Sequence, residues 1–462
     1  MSHCAALLLA ALAAAQDPAA WPRAGTIQPR HARDVASSNW SIGAETMDRD
    51  YTVYRNWREY LGPLGFKKAR LQSGWAKTEK EKGKYDFAWL DGIVRDMAAQ
   101  GVEPWMCLCY GNPLYQADDK GTKLANLGSN PSTDPAVTEA WVRYVGAVVD
   151  RYKDAIDEWE LWNEPRGGAK IAADYARFMI VTAEAIRARQ PSAKIIGFAT
   201  AGIDLPLIRG GLEVLKQEGK LGLLDFVCYH PYSENPDASY AKVAELRKVV
   251  ESFDPRLKLF QGENGAPSQK GGYGAIAGYA WDEERQAKWA LRRLLGDLGR
   301  DIPSSYFSIC DMQYTNKMNY KGLLAVNADK VVERPKQSYF ALQRLAAVFD
   351  DRLRRVAEFT FKVEPEVKAL AVFAYADASG ARAVTVWKSD GPPRDTEVSK
   401  LDLAFEGGAF KDPVYADLLK GEVLEIPRGS WTQEGNRAAF KGVPVYDSPV
   451  VIAERGLIPL KK

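Results

Sequence analysis

Residues 158–165 read Glu-Trp-Glu-Leu-Trp-Asn-Glu-Pro, an aromatic run that ends in an amide, a carboxylate and a proline. Proline has no N–H to give to a sheet ladder, so a strand that meets Asn163-Glu164-Pro165 stops there. Glu164 is therefore set at a strand terminus, beneath aromatic surface. Structural carboxylates usually sit on solvated faces, so this placement points to chemistry.

Outward from this strand, short apolar runs recur at 37–44, 66–74, 103–110, 156–163, 194–199, 225–231, 257–263 and 304–311. They alternate with amphipathic stretches such as Tyr51–Leu64, Asp86–Gln100, Pro135–Tyr152, Ala172–Arg189 and Asp282–Leu298, and Pro335–Asp350 closes the series as an eighth helix. Strands alternating with helices predict βα units in a parallel sheet. Eight such units across 36–350 predict a (β/α)8 TIM barrel; an open doubly wound sheet would usually need fewer strands. Gly272–Ala277 formally resembles a dinucleotide fingerprint, but it lies in a Gly-rich loop past its strand and opens no periodic helix. From Arg352 the character changes. Runs at 369–375, 383–388 and 401–405, parted by Gly, Pro and Asp, predict an all-β sandwich over 351–462. Its expected role is to brace the barrel, with carbohydrate binding the sharper alternative.

Composition narrows the partners. Among 462 residues, 62 basic and 60 acidic side chains leave a net charge of +2, with nothing to draw nucleic acid or an anionic membrane. The apolar run Ala5 to Ala15 has the length of a signal-peptide core and ends in small residues. We expect a signal peptide over 1–15, a leader over 16–35, and export to the periplasm or beyond. No later segment reads as a membrane span. Cys107, Cys109, Cys228 and Cys310 lie in apolar runs and read as buried thiols. Cys107 and Cys109 share one strand face and are poorly placed to bridge each other. With His3, His31 and His230 the only histidines, no Cys/His metal site is expected.

In a (β/α)8 barrel the C-terminal strand ends carry the active site. Those ends bring Arg70 and Trp75, Asn163 and Glu164, His230 and Tyr232, Glu263, and Asp311 to one mouth. Paired carboxylates in a shared pocket do acid/base and nucleophilic work when their surroundings separate their affinities for protons. Arg70 and the Tyr232 hydroxyl are placed to keep Glu263 ionised. Trp159, Trp162 and Pro165 would desolvate Glu164 and favour its protonated form. Glu160, on the same strand parity as Glu164, reads as an internal structural carboxylate.

Trp159–Pro165 resembles the acid/base motif of the clan A retaining glycoside hydrolases, and its surroundings look most like family 39 and related β-glycosidases. Arg70 resembles the clan's second-strand arginine, His230-x-Tyr232 its sixth-strand pair, and Glu263 after Gln261-Gly262 its nucleophile. The stretches Gly74–Phe87 with Leu90-Asp91, and Tyr110–Tyr115, are similar too. The resemblance implies hydrolysis of β-linked glycans or oligosaccharides by double displacement, with Glu164 as acid and then base and Glu263 as nucleophile. It implies a carbohydrate substrate. Asn163 would donate to a sugar hydroxyl, Asp311 would accept from one, and Trp40, Trp75 and Trp281 would be stacking platforms. Two carboxyl groups supply proton traffic and nucleophile, so neither cofactor nor metal is required. Two departures concern the sugar: the eighth strand ends in Ser308-Ile309-Cys310-Asp311 where the clan commonly has tryptophan, and Arg166 follows Pro165. The rival readings are a transglycosylase of the same clan and a non-catalytic sugar-binding protein on the same barrel.

Overall fold

The computed structural model describes residues 21–115, 130–395 and 397–462. The expected signal peptide, and residues 116–129, lie outside the described residues. Eight parallel strands close into a barrel: β1 (Trp40–Gly43), β2 (Lys68–Gln72), β3 (Glu103–Leu108), β4 (Glu158–Leu161), β5 (Lys194–Ala201), β6 (Phe226–His230), β7 (Lys258–Asn264) and β8 (Ser304–Tyr306). Each pairs in parallel with the next, and β8 returns to β1 through Trp40 opposite Ser304. This is the (β/α)8 barrel that the alternation predicts.

Helices α1 (Ala88–Ala99), α2 (Pro135–Tyr152), α3 (Ala172–Arg187), α4 (Leu205–Gln217), α5 (Tyr240–Phe253), α6 (Glu283–Leu298) and α7 (Gln337–Val348) form the outer ring. Their starts follow local chemistry. Asp134 accepts from the Ala136 and Val137 amides ahead of Pro135, and Asp282 accepts from the Arg285 amide at the head of α6. The stretch Tyr51–Leu64, expected as one helix, is a chain of short turns at Tyr54–Trp57, Arg58–Tyr60 and Gly62–Leu64. The first break falls at Trp57, whose backbone leaves helical geometry (φ −129°, ψ −3°), and Gly62 and Pro63, which do not sustain a helix interior, come only in the last turn.

Beyond the barrel, two antiparallel sheets form the all-β region. The larger has eight strands and the smaller four. In Ser399–Glu406 of the smaller sheet, Leu401, Leu403 and Phe405 alternate inward into the core and the residues between face out. Part of the expected leader joins this region: Arg23–Ile27 forms a strand of the larger sheet, between Glu422–Glu425 and Leu460–Lys461. A five-residue strand needs both neighbours to order it, and neither partner is near in sequence.

The β-region meets the barrel along α6. Every residue of α6 from Gln286 to Leu298 is buried, including three basic side chains. Those charges have partners: Lys288 lies 3.0 Å from Asp447, and Arg292 donates to the Gly391 carbonyl at 2.8 Å and pairs with Asp237. Trp387 of the β-region also donates to Asp237 at 3.2 Å. A helix that would otherwise show a polar outer face is thus buried on all sides.

Candidate active site

Arg70 stands at the centre of the barrel, fully buried on β2. Its Nη1 donates to Glu45 at 2.9 Å and to Glu263 at 2.8 Å; its Nε donates to Glu160 at 2.9 Å; its Nη2 donates to Glu160 and, at 2.8 Å, to Asn163. A planar guanidinium with five donors can hold four groups in fixed directions, which a lysine cannot. Glu160, equally buried, is opposed by desolvation, but Arg70 and His230 prevail and bring its carboxyl down to about 2. Glu160 is an internal structural carboxylate in this fold.

Glu263 enters from β7. Its second oxygen accepts from the Tyr232 hydroxyl at 2.8 Å, so both oxygens are held. The preceding Gly262 is required by space: a Cβ there would meet Cys228 Sγ at 2.4 Å, Glu160 Oε1 at 3.0 Å and His230 Nε2 at 3.2 Å.

Glu164 enters from the end of β4, where the chain turns through left-handed conformations at Trp162 (φ 72°) and Glu164 (φ 49°). Such angles cost about 1–3 kcal/mol each for non-glycine residues and are kept where the surroundings fix them. Here the Trp162 amide donates to Leu108 and the Glu164 amide to Ala199. The turn lifts the carboxyl into the mouth, where its Oε1 sits 3.2 Å from His230 Nδ1. That nitrogen is also 3.9 Å from Glu263. Ligating atoms of Glu164, His230 and Glu263 all lie within 4.8 Å of one another.

The expectation that aromatic surface keeps Glu164 protonated is corrected. Burial does push its carboxyl up, but the hydrogen bond and charge of His230, with Arg70 and Arg166 behind, outweigh it and leave it below the ordinary range. His230 is the counterpart: desolvation lowers it, yet Cys228, Glu160, Glu164 and Glu263 around it raise it well above the usual imidazole range. Glu160, Cys228 and His230 form a second tight group. In both groups Arg70 already occupies carboxylate oxygens, so a cation there would face a fixed positive charge.

The structure brings Glu164, Glu263, Arg70, Asn163, His230 and Tyr232 together. Asn163 is engaged at both ends, accepting from Arg70 and donating to the Tyr110 hydroxyl at 2.7 Å; its amide nitrogen keeps one further N–H. Four other expected residues lie elsewhere. Trp40 begins β1 at the opposite end of the barrel and donates to the Phe349 carbonyl. Trp75 donates to Glu79 and is stacked on both Tyr115 and Tyr144, leaving no free face. Trp281 is buried edge-on against Tyr279 and donates to Ile276. Asp311 is buried in an ion pair with Lys336 at 2.6 Å and accepts from the Gly322 amide, while burial brings its carboxyl up to about 6.

Sequence reasoning missed Glu45, two residues past β1, which burial pushes up to about 8 despite Arg70 beside it. It also missed the tyrosine row Tyr51, Tyr314 and Tyr273, whose ring centroids are 4.5 Å and 4.7 Å apart in succession. Tyr314 lies near enough for the charges of Glu263 and Glu45 to act on its hydroxyl, after burial. Among the described residues this row supplies the aromatic surface that the tryptophans do not.

The fold and site together define a (β/α)8 barrel with a carboxylate pair at its C-terminal mouth and an appended β-region. Among solved structures, the chain is similar to a family 39 glycoside hydrolase from Bacteroides cellulosilyticus WH2, with TM-score 0.63, 18% identity, and 90% of this chain and 81% of that one covered. The GH39 enzyme from Xanthomonas axonopodis pv. citri superimposes with TM-score 0.60 at 16% identity, covering 94% and 97%. A monomeric beta-xylosidase from Caulobacter crescentus CB15 does so with TM-score 0.59 at 17% identity, covering 94% and 97%. At these identities the likeness establishes the fold. A curated relative, the aryl-phospho-beta-D-glucosidase BglA of Bacillus subtilis (strain 168), is 22% identical over 232 residues, 48% of this chain and 46% of that one. The match thus spans about half the length of that relative. No protein-family model matches the chain.

Proposed function

We propose that the protein is a retaining glycoside hydrolase that cleaves β-linked glycans or oligosaccharides by double displacement. The observation that carries this reading is the pair Glu164 and Glu263, with oxygens within 4.8 Å of each other and of His230. Retaining enzymes hold their carboxyl groups roughly 5–5.5 Å apart, too close for a water between them, and inverting enzymes considerably farther. Glu263 attacks the anomeric carbon while Glu164 passes a proton to the leaving oxygen. Glu164 then takes a proton from the water that releases the sugar. Arg70 and Tyr232 fix the attacking carboxylate, and His230 governs the proton on Glu164. Export, expected from the Ala5–Ala15 run, belongs to the same reading.

The test is covalent trapping. Incubation with 2-fluoro glycosides bearing a good leaving group should add the mass of one fluorosugar, on the peptide containing Glu263. A non-catalytic binder would gain no mass, and label on another residue would reassign the nucleophile. A sugar acceptor that outcompetes water for the trapped glycosyl group would turn the reading to transglycosylation.

A further inference from the structure

Lys321 is a buried cation with neither an ion-pair nor a hydrogen-bond partner. It is 1% exposed, yet no carboxylate lies within 4 Å of its ammonium and, among the described residues, nothing accepts a hydrogen bond from it. The other buried lysines of this fold do have acceptors: Lys288 has Asp447 and Glu284, and Lys336 has Asp311 and Ser268. A desolvated, unpaired ammonium is costly, so a position that keeps one calls for a ligand.

The ammonium faces the carboxylate pocket. It lies 5.5 Å from the centre of the Tyr232 ring, the residue whose hydroxyl holds Glu263. A second donor converges on the same place. The Asn319 carbonyl accepts from the Lys321 amide, which fixes its side chain and leaves its Nδ2 without an acceptor among the described residues. Gly274, with φ of +105°, closes over both: a Cβ there would stand 2.8 Å from Lys321 Nζ and 3.2 Å from Asn319 Nδ2. The Gly-rich loop, unused by the chemistry described above, thus presses bare backbone onto a cluster of donors.

We propose that Lys321 and Asn319, beside Tyr232, form a receptor for an oxyanion carried by the sugar, so that the substrates are acidic glycosides. This rests on the glycosidase reading of the same pocket. Carboxylate, phosphate and sulfate share the needed chemistry: negative charge and several acceptor oxygens for an ammonium and an amide. Burial brings the ammonium down to about 8, with the charge of Glu263 opposing, so it is charged in the neutral range. A neutral sugar would leave the ammonium desolvated and unpaired, and sites built to bond a group reject analogues that lack it by large factors.

The experiment has two arms. Calorimetry with glucuronate, glucose 6-phosphate and glucose reads the receptor without any turnover. At least one acidic sugar should bind at least about 10-fold tighter than glucose, a gap of about 1.4 kcal/mol. Lys321→Met should cancel that difference and Lys321→Arg should keep part of it. Methionine removes a buried unpaired charge, so the melting temperature should hold or rise. In the second arm, 4-nitrophenyl β-glucuronide, β-glucoside 6-phosphate, β-glucoside and β-xyloside are compared by kcat/KM, and the acidic preference should shrink in Lys321→Met. Equal binding of all three sugars, or an acidic preference that survives Lys321→Met, overturns the receptor whatever the hydrolysis data show. Failure of fluorosugar trapping overturns the glycosidase reading whatever the calorimetry shows.

Discussion

His230 Nδ1 lies 3.2 Å from Glu164 Oε1, and the imidazole is wholly buried with Glu160 behind it, 3.9 Å from Nε2. In the proposed mechanism the proton of the acid is therefore shared with a histidine between two carboxylates. An acidic group needs this control, because a carboxyl left only to desolvation would stay protonated too firmly to act as base in the second step.

Removal of that cation should raise the affinity of Glu164 for its proton, since burial then acts against Arg70 and Arg166 alone. In His230→Gln the alkaline limb of the kcat/KM profile, set by ionisation of the acid, should move upward by roughly one pH unit. Profiles measured beside thermal melts check this. An alkaline limb that stays in place would separate His230 from the acid.

Glu164→Ala should slow hydrolysis of substrates with poor leaving groups by about 10²–10⁴-fold, while activated aryl glycosides are largely spared. An activated phenolate departs with little protonation. Azide should restore part of the turnover of activated substrates, with retained configuration in the glycosyl azide. Equal losses on both substrate types would remove Glu164 from the acid's role.

Glu45 predicts a pH-dependent stability. Its carboxyl is raised from 4.5 to about 8, chiefly by burial. Below pH 4.5 both folded and unfolded chains hold the proton and the contribution is complete. As pH rises toward 8 the unfolded chain releases its proton first, so stability falls with pH. Glu45→Gln keeps an acceptor for Arg70 and removes the ionisation, so it should flatten this slope and stabilise the protein by about 1–3 kcal/mol near pH 8. Denaturant melts at pH 5 and pH 8 give the comparison; an equal gain at both would assign it to packing.

The barrel was legible because its signal is periodic: eight apolar runs alternate with helical stretches, and α2 begins and ends where the sequence reading places it, at Pro135 and Tyr152. Asn163, Glu164, His230, Tyr232 and Glu263 were legible for a related reason, since strand ends in this fold converge on one mouth. Glu45, Asn319 and Lys321 were not. They sit past the ends of β1 and β8, Asn319 closing a three-residue hairpin strand (Lys317–Asn319), and no periodicity tells which of these side chains folds inward. The tryptophans misled because size and aromaticity do not reveal which faces are already covered; Trp75 has a tyrosine on each side. The strand at 23–27 was hidden because its partners are about 400 residues away, where local pattern carries no information.

Arg70 and Tyr232 both hold Glu263, and they should fail differently. Tyr232→Phe deletes one hydroxyl and keeps the ring, so stability should drop by about 0.5–1.5 kcal/mol while turnover falls. Arg70 also carries Glu45, Glu160 and Asn163. Lysine keeps the charge but offers three donors from a single nitrogen, so Arg70→Lys replaces five hydrogen bonds by at most three and leaves buried carboxylate oxygens short of a donor. Breaking buried pairs in this way costs about 3–5 kcal/mol. The arginine variant should therefore lose both turnover and melting temperature, and Glu160→Gln in the same chain should recover part of the stability by removing the carboxylate that Arg70 holds most closely. Turnover need not recover with it, because Glu263 would still lack its guanidinium. Melts and single-turnover rates on Tyr232→Phe, Arg70→Lys and the Arg70→Lys/Glu160→Gln pair separate the two roles: a double variant no more stable than Arg70→Lys would mean that Glu160 is not the group left unpaired.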